Sequence, residues 1–392
     1  MAIEYKFSNI YIDECARDDE ITRNLLRSLP DPVPQCIQPD QSFQDYLASL
    51  SFSEGKRTLW ITHFRGRFLK PCPGTAESYR CCNYLVINET TNCPIDCTYC
   101  ILQGYINNPA ITIYTNYRKI AEEIKALSRR NPNRILRIGT GELTDSLALD
   151  PATGLSEKLI KEVQQLPNVL LELKSKTDHI EHLLDINPER IVLSWSVNPA
   201  ALVKSDELKA VPVAKRLKAT RRAAEKGFMI GLHFDPIIYL PEWQSQYLEL
   251  IGQIGEYVDP QKIAWISLGS LRYPPHLKET SRSRFPKSRI FSGEQIAGVD
   301  GKMRYLQPLR LRMYRSIYRA LREKLGDVFV YFCMESEEIW QEVLGHSPRD
   351  NQEVDWLFAR SLYHKFPELN LPRPEREIYQ SPISFPDEEF AG

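Results

Sequence analysis

NCPIDCTYCIL, residues 92–102, is the stretch from which the fold of this chain can be argued. It places Cys93, Cys97 and Cys100 at a C-x3-C-x2-C spacing, directly after an apolar, strand-like run at Tyr84–Ile87. Three thiolates at this spacing can converge from one short loop, and thiolates select soft metals, chiefly zinc and iron–sulfur clusters. A closed structural site takes four protein ligands, whereas this loop supplies three. Three ligands on a cubane of four irons would leave one iron open to an outside chelator.

Cysteines upstream of this loop keep a second interpretation open. A structural zinc knuckle could take its fourth thiolate from Cys81 or Cys82. The chain would then be a non-catalytic, zinc-stabilised nucleic-acid-binding protein, colourless where an iron–sulfur protein absorbs blue light. Cys72, Cys81 and Cys82 could also be small buried apolar residues, or they could ligate a second cluster or guard the first.

Beyond the loop, strand-like and helical patterns alternate from about residue 83 to residue 335. Regular alternation argues for parallel strands with right-handed crossovers, in which functional residues follow the carboxyl ends of the strands. The predicted strands are Leu85–Ile87, Ile135–Ile138, Val169–Leu173, Ile191–Ser196, Met229–Phe234, Ile263–Leu268 and Val328–Phe332. The predicted helices between them are Tyr117–Arg129, Leu155–Gln165, His179–Leu184, Lys209–Lys226, Trp243–Tyr257 and Leu309–Leu325. The sequence therefore predicts an α/β fold with a partial (β/α) barrel.

The cysteine loop, with the aromatic residue Tyr99 directly before its third cysteine, resembles the signature of the radical S-adenosylmethionine enzymes. The resemblance implies that Cys93, Cys97 and Cys100 hold a four-iron four-sulfur (4Fe-4S) cluster whose open iron is chelated by S-adenosyl-L-methionine. It also implies that electron transfer cleaves this cofactor to a 5′-deoxyadenosyl radical, which abstracts a hydrogen atom. The partial barrel would then be of the radical SAM type, and a reducing partner such as flavodoxin or ferredoxin would supply the electron.

The predicted strand ends carry the side chains that this resemblance would assign to the cofactor. The stretch GTGE at residues 139–142 follows the second strand. It resembles the segment with which such enzymes hold the amino group of the cofactor, here through Glu142. Lys176 follows the third strand and could pair with the cofactor's carboxylate. Ser196 and Asn198 follow the fourth strand and could hydrogen-bond the ribose or the carboxylate.

At finer resolution the chain resembles the spore photoproduct lyase family. That family repairs a thymine–thymine adduct in DNA through a partial α/β barrel with one iron–sulfur cluster. The likeness covers most of residues 83–275. It rests on the cysteine loop together with the stretches at residues 175–184, 196–198, 216–230, 236–237 and 242–243. The resemblance implies lyase-like radical chemistry, of which DNA photoproduct repair is one case, on a nucleic-acid base or lesion.

Departures from that family bear on the substrate. Glu142 falls where the lyase has the cysteine that returns a hydrogen atom, and Ile101 replaces the aromatic residue expected after the third cluster cysteine. The chain therefore resembles a divergent branch, whose cofactor chemistry we expect to carry over and whose substrate can differ. Cys333, at the end of the last predicted strand, or Tyr99 could replace the missing hydrogen-atom donor. The alternative for Cys333 is a small buried apolar role.

Length and composition bound the class of protein. The chain has 392 residues, a formal net charge of −1 and 42% apolar residues, as in a soluble globular protein. No apolar run approaches the roughly 18–20 residues that cross a bilayer, and the amino terminus lacks a basic-then-apolar signal pattern. We expect a cytoplasmic protein with no membrane association, whose nine cysteines serve metal binding or reactivity rather than disulfides.

Positive charge gathers between Arg272 and Lys324, where fourteen Lys and Arg residues face four acidic ones. A nucleic-acid substrate that binds through this basic stretch is one explanation. A solvated helix face is the other.

The chain divides in prediction into an N-terminal extension (residues 1–82), the barrel (83–335) and C-terminal helices with a flexible tail (336–392). Within the extension we expect strands at Phe7–Ile12 and Thr58–Thr62 and a helix at Asp18–Leu29. Amphipathic patterns predict helices at Glu335–Val343 and Glu353–His364. Beyond residue 366 the chain is rich in proline and acidic residues, which predicts a loosely held tail.

Overall fold

The alternation predicted for residues 83–335 builds one curved sheet, here called the barrel sheet. The computed structural model describes residues 5–29, 31–73 and 78–386. Within them, the strands of the barrel sheet in spatial order are Val330–Phe332, Ile263–Ser270, Met229–Ile237, Ile191–Ser196, Val169–Ser175, Leu136–Gly139, Leu85–Ile87 and Leu69–Pro71. Neighbouring strands pair in parallel, except that Leu69–Pro71 runs antiparallel along one edge. The predicted α/β partial barrel is confirmed.

Helices join the strands and pack against them. The α-helices that the structure describes are Glu20–Ser28, Gln41–Ser49, Phe52–Gly55, Tyr117–Arg130, Asp150–Thr153, Leu155–Val163, Ala200–Asp206, Val213–Glu225, Trp243–Tyr257, Leu277–Arg284, Gln307–Leu325, Glu337–Leu344 and Asn351–Lys365. Short 3-10 helices lie at Glu14–Ala16, Ile101–Gly104, Glu181–Leu183, Pro260–Lys262, Pro367–Leu369 and Arg376–Tyr379. None of these described helices is long and apolar enough to cross a bilayer.

Two predicted helices differ from the structure for local reasons. The helix predicted from Lys209 begins only at Val213, because Pro212 disfavours helical backbone in the residue before it. The helix predicted at 179–184 is reduced to the 3-10 turn Glu181–Leu183. The edge strand Leu69–Pro71 has no sequence signal of its own, since it exists only through its pairing with Leu85–Ile87.

A second sheet, the N-terminal sheet, shares the hydrophobic core of the barrel. Within the described residues its strands in spatial order are Gln35–Ile37, Asn9–Asp13, Thr58–Thr62, Ile111–Tyr114 and Thr90–Thr91. The last two come from beyond residue 82 and pair with each other antiparallel, on either side of the cysteine loop. Strands from both sides of the predicted boundary between residues 82 and 83 thus form one sheet. Whether the two segments are independent domains stays a prediction.

The C-terminal segment packs on the barrel as far as the structure describes it. Tyr379 is buried, and its hydroxyl accepts a hydrogen bond from the Ile135 backbone N–H at 3.0 Å. Arg67 Nη2 donates to the Pro386 carbonyl at 3.0 Å. The tail predicted to be loose beyond residue 366 is thus ordered to Pro386, because apolar residues within it, such as Leu371, reach the core. Residues 387–392 lie outside the described part of the chain.

Candidate active site

The carboxyl ends of the barrel strands enclose a cavity of about 280 Å³, here called the barrel pocket. One wall carries Tyr99 and Cys100 of the cysteine loop. The strand ends add charged side chains to it, namely Glu142, Glu172, Lys174, His233, Asp235 and Arg272. The remaining wall carries a group of thiols, from Cys72, Cys81, Cys82 and Cys333. A polar cavity at the strand ends is where a barrel of parallel strands places its functional site.

The cysteine loop is buried and held through its backbone. Cys93 and Cys97 are buried, while Cys100 is half-buried in the pocket wall. Lys56 is buried as well, and its Nζ donates to the carbonyl oxygens of Cys93 and Ile95, both at 2.6 Å. Burial raises the pKa of Cys93 to about 12 and that of Cys97 well above its usual range. Such thiols stay protonated until a metal supplies the positive charge that their thiolates need.

A buried network on one side of the loop fixes Tyr99. Its hydroxyl donates to Glu207, which also accepts from Asn198 Nδ2 at 3.0 Å and from Arg216 Nη2 at 2.6 Å. Burial would raise the pKa of Glu207, but Arg216 and Lys176 hold it at about 2. The loop and this network are also joined by antiparallel pairing of Asp96–Cys97 with Glu207–Leu208. The ion pair is therefore part of the framework that positions the loop.

A helix supports the other side of the loop. Arg284 Nη2 contacts both carboxylate oxygens of Asp96, at 3.0 and 3.1 Å, and its Nη1 donates to Gln103 Oε1 at 2.6 Å. Ser281, one turn earlier in the Leu277–Arg284 helix, donates to the Thr98 carbonyl at 2.6 Å. Residues between and after the three cysteines are thus fixed by charge-assisted or buried hydrogen bonds.

The predicted site residues fall into two groups. Tyr99, Glu142 and Cys333 line the barrel pocket. Lys176, Ser196 and Asn198 lie outside its wall, although Lys176 is close enough to Cys97 to oppose the burial that raises the pKa of that thiol. Asn198 Oδ1 accepts from the Tyr247 hydroxyl at 2.9 Å, so its amide is committed to the framework at both ends. Their roles toward a cofactor remain predictions.

The glycines before Glu142 are required by close approach. A Cβ added to Gly139 would lie 1.6 Å from the Tyr84 hydroxyl oxygen, and one added to Gly141 would lie 2.9 Å from Lys174 Cβ. The Tyr84 hydroxyl occupies that space because it donates to Glu172. The GTGE segment therefore lets its backbone pass close to the charged floor of the pocket.

Glu172 and Lys174, two charged residues of the pocket floor, were not predicted as site residues from the sequence. Glu172 accepts hydrogen bonds from Tyr84 and Ser194 and lies 2.7 Å from His233 Nε2. Burial would raise its pKa, but His233 and Lys174 hold it at about 2. Glu172 and Lys174 are two residues apart on the Val169–Ser175 strand, so both point to one face. The sequence signal that could have identified them is the pair of charged residues two positions apart within an otherwise apolar strand.

A bidentate ion pair closes the floor beside the thiols. Arg272 Nη1 and Nη2 donate to Asp235 Oδ1 and Oδ2 at 2.9 and 3.0 Å. Arg272 Nη2 also lies 3.2 Å from the Cys333 Sγ, as a donor. Burial and the Asp235 charge raise the pKa of the Cys333 thiol well above its usual range, against the effect of Arg272. Cys333 is therefore a protonated thiol held in a fixed position.

The donor set of the loop fits the chemistry expected of an iron–sulfur centre. It consists of three cysteines, whose thiolates such clusters take, and it stands next to a cavity. Among the described residues no three His, Cys, Asp or Glu side chains come close enough together to hold a single metal ion. Cys81, one proposed fourth ligand of a zinc knuckle, hydrogen-bonds instead with Cys72 and Cys82 in the thiol group.

Half of the fourteen cations of the basic stretch are held in ion pairs. Within the described residues the ion pairs of this stretch are Arg272–Asp235, Arg284–Asp96, Lys302–Asp300, Arg304–Asp300, Arg310–Glu335, Arg315–Glu342 and Arg322–Asp327. Lys287, Arg289 and Arg312 are exposed and take part in none of them. Arg289 and Arg312 line a surface groove together with Tyr239 and Trp243. Arg282, Arg319 and Lys324 are likewise exposed and absent from these pairs, so six of the fourteen cations lie at the surface outside them.

Comparison with known proteins places this geometry among relatives. A sequence model of the family described as spore photoproduct lyase matches residues 75–310. Spore photoproduct lyase of Geobacillus sp. (strain Y412MC61) is 25% identical over 205 residues, which cover 51% of this chain and 60% of the relative. The enzyme of the same name from Bacillus subtilis (strain 168) is 23% identical over 210 residues, which cover 52% and 61%. The match thus spans about 60% of the length of these curated relatives.

Solved structures resemble the chain over a larger part of its length. A spore photoproduct lyase variant with bound AdoMet and dinucleoside spore photoproduct has a TM-score of 0.73 at 20% identity, covering 84% of this chain and 99% of that chain. Spore photoproduct lyase complexed with dinucleoside spore photoproduct has a TM-score of 0.72 at 19% identity, with the same coverage. At this identity the likeness establishes the fold, a partial barrel of the radical SAM type with extensions at both ends.

Proposed function

This chain belongs to the spore photoproduct lyase family, and from that premise we propose that it is a radical S-adenosylmethionine enzyme acting on a nucleic-acid base or lesion. Cys93, Cys97 and Cys100 hold a 4Fe-4S cluster, and S-adenosyl-L-methionine is the cofactor. The observation that carries the proposal is the position of the cysteine loop. A set of three soft ligands on a braced loop opens through Cys100 into a cavity at the strand ends of the barrel.

Glu142 and Lys176 are the residues that hold the ends of the cofactor in this proposal. Glu142 lines the pocket and can accept from an amino group, while Lys176 lies near Cys97 and can pair with a carboxylate. Ser196 and Asn198, both buried beside the loop, complete the set of cofactor-binding residues. The bound cofactor supplies a carbon-centred radical, and the protein orients it and keeps water away.

The pocket also contains a hydrogen-atom donor. We assign this role to Cys333, because its thiol is protonated, lines the pocket and is held by Arg272 at 3.2 Å. A thiol can give a hydrogen atom to a product radical and so end the reaction. Tyr99 also lines the pocket, but its hydroxyl donates to Glu207, so a catalytic part for it would require breaking that bond.

The substrate class follows from the relatives and from the surface. The relatives carry the name spore photoproduct lyase, and a solved structure of that name holds a dinucleoside spore photoproduct. In this chain, the exposed cations Lys287, Arg289 and Arg312 can contact phosphates, and Tyr239 and Trp243 offer aromatic faces beside two of them. A flipped base or lesion would enter the barrel pocket. We place the reaction in the cytoplasm, with flavodoxin or ferredoxin as the reductant.

The proposal is tested anaerobically on reconstituted protein with dithionite and S-adenosylmethionine, by chromatography of 5′-deoxyadenosine. Slow release is expected from the unmodified protein and from Cys36→Ala, which removes an exposed cysteine. Release should vanish in Cys97→Ala. DNA that contains the thymine adduct should then accelerate the release of 5′-deoxyadenosine. This acceleration should become smaller as the salt concentration rises. Protein that binds zinc without iron and forms no 5′-deoxyadenosine would favour a zinc-stabilised nucleic-acid-binding protein instead.

A further inference from the structure

The cysteines Cys72, Cys81, Cys82 and Cys333, here called the pocket thiols, meet on the wall of the barrel pocket although their positions span most of the chain. Their backbones are fixed one by one. The N–H of Cys72 donates to the Tyr84 carbonyl at 2.8 Å, and that of Cys333 donates to the Leu268 carbonyl at 3.0 Å. The N–H of Cys81 donates to Asn351 Oδ1 at 2.7 Å, and the Cys82 carbonyl accepts from Arg137.

Three of the pocket thiols come from neighbouring backbone. Cys81 and Cys82 are consecutive, and the N–H of Cys72 donates to the carbonyl of Tyr84, two residues after Cys82. Hydrogen bonding from Cys81, together with the nearby Arg137 charge, lowers the pKa of Cys82 to about 7 despite burial, while the pKa of Cys81 is raised. Cys82 is therefore easily deprotonated beside the other two thiols. In such an arrangement thiols exchange rapidly with disulfides.

A structural role does not account for this collection. Small buried cysteines that only fill space have no reason to gather around a cavity. Here the pocket thiols share one wall with two arginines, Arg137 and Arg272, and face the loop residue Cys100 across the same cavity. Of the cysteines that the structure describes, Cys15 and Cys36 are exposed elsewhere and offer a natural comparison.

Resting on the function proposed above, we propose that Cys72 and Cys81 form a redox-active dithiol that replenishes the hydrogen atom of Cys333 and closes to a disulfide inside the barrel pocket. The site is distinct from the cysteine loop and takes no metal. Its reducing partner is a cellular thiol of the glutathione or thioredoxin class, which reopens the disulfide.

The chemistry balances in atoms and electrons. When a product radical takes a hydrogen atom from Cys333, a C–H bond forms, the S–H bond breaks, and a thiyl radical remains on Cys333. A hydrogen atom from the Cys81 thiol restores it. The Cys81 thiyl then bonds to the sulfur of Cys72, whose S–H bond breaks and whose proton passes to solvent. The surplus electron would pass to a one-electron acceptor, which the oxidised form of the cluster proposed at Cys93, Cys97 and Cys100 would supply, so that two thiols become one disulfide.

Disulfide mapping tests the site without depending on turnover. Reconstituted protein is treated anaerobically with oxidised glutathione, alkylated and cut with trypsin, which leaves the Lys70–Pro71 bond intact. Cys72 then lies in the peptide of residues 68–80, Cys81 and Cys82 in residues 81–118, and Cys333 in residues 325–349. We expect a cross-link between the first two peptides, retained in Cys82→Ala and in Cys36→Ala, and lost in Cys81→Ala. Absence of that link in the unmodified protein would overturn the proposal.

A second measurement couples the disulfide to the reaction. With external thiols omitted and the cross-link quantified against 5′-deoxyadenosine formed on adduct DNA, we expect a ratio close to one disulfide per 5′-deoxyadenosine. If 5′-deoxyadenosine forms in quantity and the dithiol stays reduced, this inference is wrong and the enzyme function stands. If the cross-link forms with glutathione but no 5′-deoxyadenosine ever appears, the dithiol stands and the proposed enzyme function fails.

Discussion

The loop cysteines and the pocket thiols are built in contrasting ways. The loop cysteines come from eight consecutive residues, 93–100, and are held by Lys56, Arg284 and the Glu207 network. Three of the pocket thiols come from residues 72–82 and the fourth from the far edge of the barrel sheet, and the fold brings them together. A ligand set must keep its geometry, whereas thiols that exchange hydrogen atoms must reach one another. The loop cysteines are therefore held in place by buried side chains around them, whereas the pocket thiols line a cavity.

The largest effect that tests this contrast is expected at the loop. Cys97→Ala removes one of the three proposed cluster ligands, so we expect iron and sulfide to fall well below the level in the unmodified protein and 5′-deoxyadenosine to fall to background. Iron and sulfide assays after reconstitution measure this directly. The matched variant Cys82→Ala, in the pocket thiols, should keep its full iron content. Equal iron loss in both variants would mean that the two sets form a single metal site.

The bracing network should account for the largest change in stability. Glu207→Ala leaves Arg216 charged and without its carboxylate in a fully buried position, which costs about 3–5 kcal/mol of unfolding free energy. Urea denaturation of the cluster-free protein measures it. Glu225→Ala breaks the exposed pair with Arg221 and should cost no more than about 0.5 kcal/mol. Similar losses in the two variants would remove the argument that the loop is braced from within.

Acid should weaken both the Glu207 network and the buried contacts of Glu172 in the pocket floor. The folded pKa values of Glu207 and Glu172 lie at about 2, below the unfolded value of about 4.3. Their contribution is therefore complete above pH 4.3 and is lost as pH falls toward 2, by about 3 kcal/mol for each carboxylate. Urea titrations of the cluster-free protein between pH 7 and pH 3 would follow this loss. Glu207→Gln should flatten the slope, and an unchanged slope would contradict the assignment.

Lys56 tests the backbone support of the loop more gently. Lys56→Met leaves the carbonyl oxygens of Cys93 and Ile95 buried without their donor, at about 1–3 kcal/mol. We expect reconstituted protein to lose iron faster to a chelator, with the rate followed by absorbance. Lys161→Met, at an exposed position paired with Glu157, is the control and should leave the rate unchanged. Equal rates in all three proteins would show that the loop does not depend on Lys56.

The smallest effect is expected at the pocket thiols. Cys81→Ala removes a sulfur atom that lines a cavity, so unfolding free energy should change by about 1 kcal/mol or less. The same variant should lose the disulfide described above, which separates reactivity from stability. Thermal or urea denaturation of the reduced protein gives the value. A loss comparable to that of Glu207→Ala would instead make Cys81 a core residue.

Patterns carried by neighbouring residues were predictable, and contacts between distant residues were not. The strands Leu85–Ile87 and Ile191–Ser196 were predicted to the residue, because apolar β-branched runs mark buried parallel strands. The spacing of the loop cysteines and the position of Glu142 after a strand likewise place them at one rim. The pairing of Arg272 with Asp235 could not be predicted, since charge on a sequence does not tell whether its partner lies across a barrel. For the same reason the sequence does not tell which cations of the basic stretch form ion pairs.

Thr90–Thr91 and Ile111–Tyr114 flank the cysteine loop in sequence. They pair antiparallel within the N-terminal sheet, so both ends of the loop segment are anchored there. The chain is therefore continuous in structure where its sequence suggests a boundary, because strands from both sides of residue 82 lie in one sheet. A gene shortened to begin at residue 83 would encode Thr90–Thr91 and Ile111–Tyr114 but not Thr58–Thr62, on which Ile111–Tyr114 rests. A chain without residues 1–82 therefore lacks the parallel strand that pairs with Ile111–Tyr114 beside the cysteine loop.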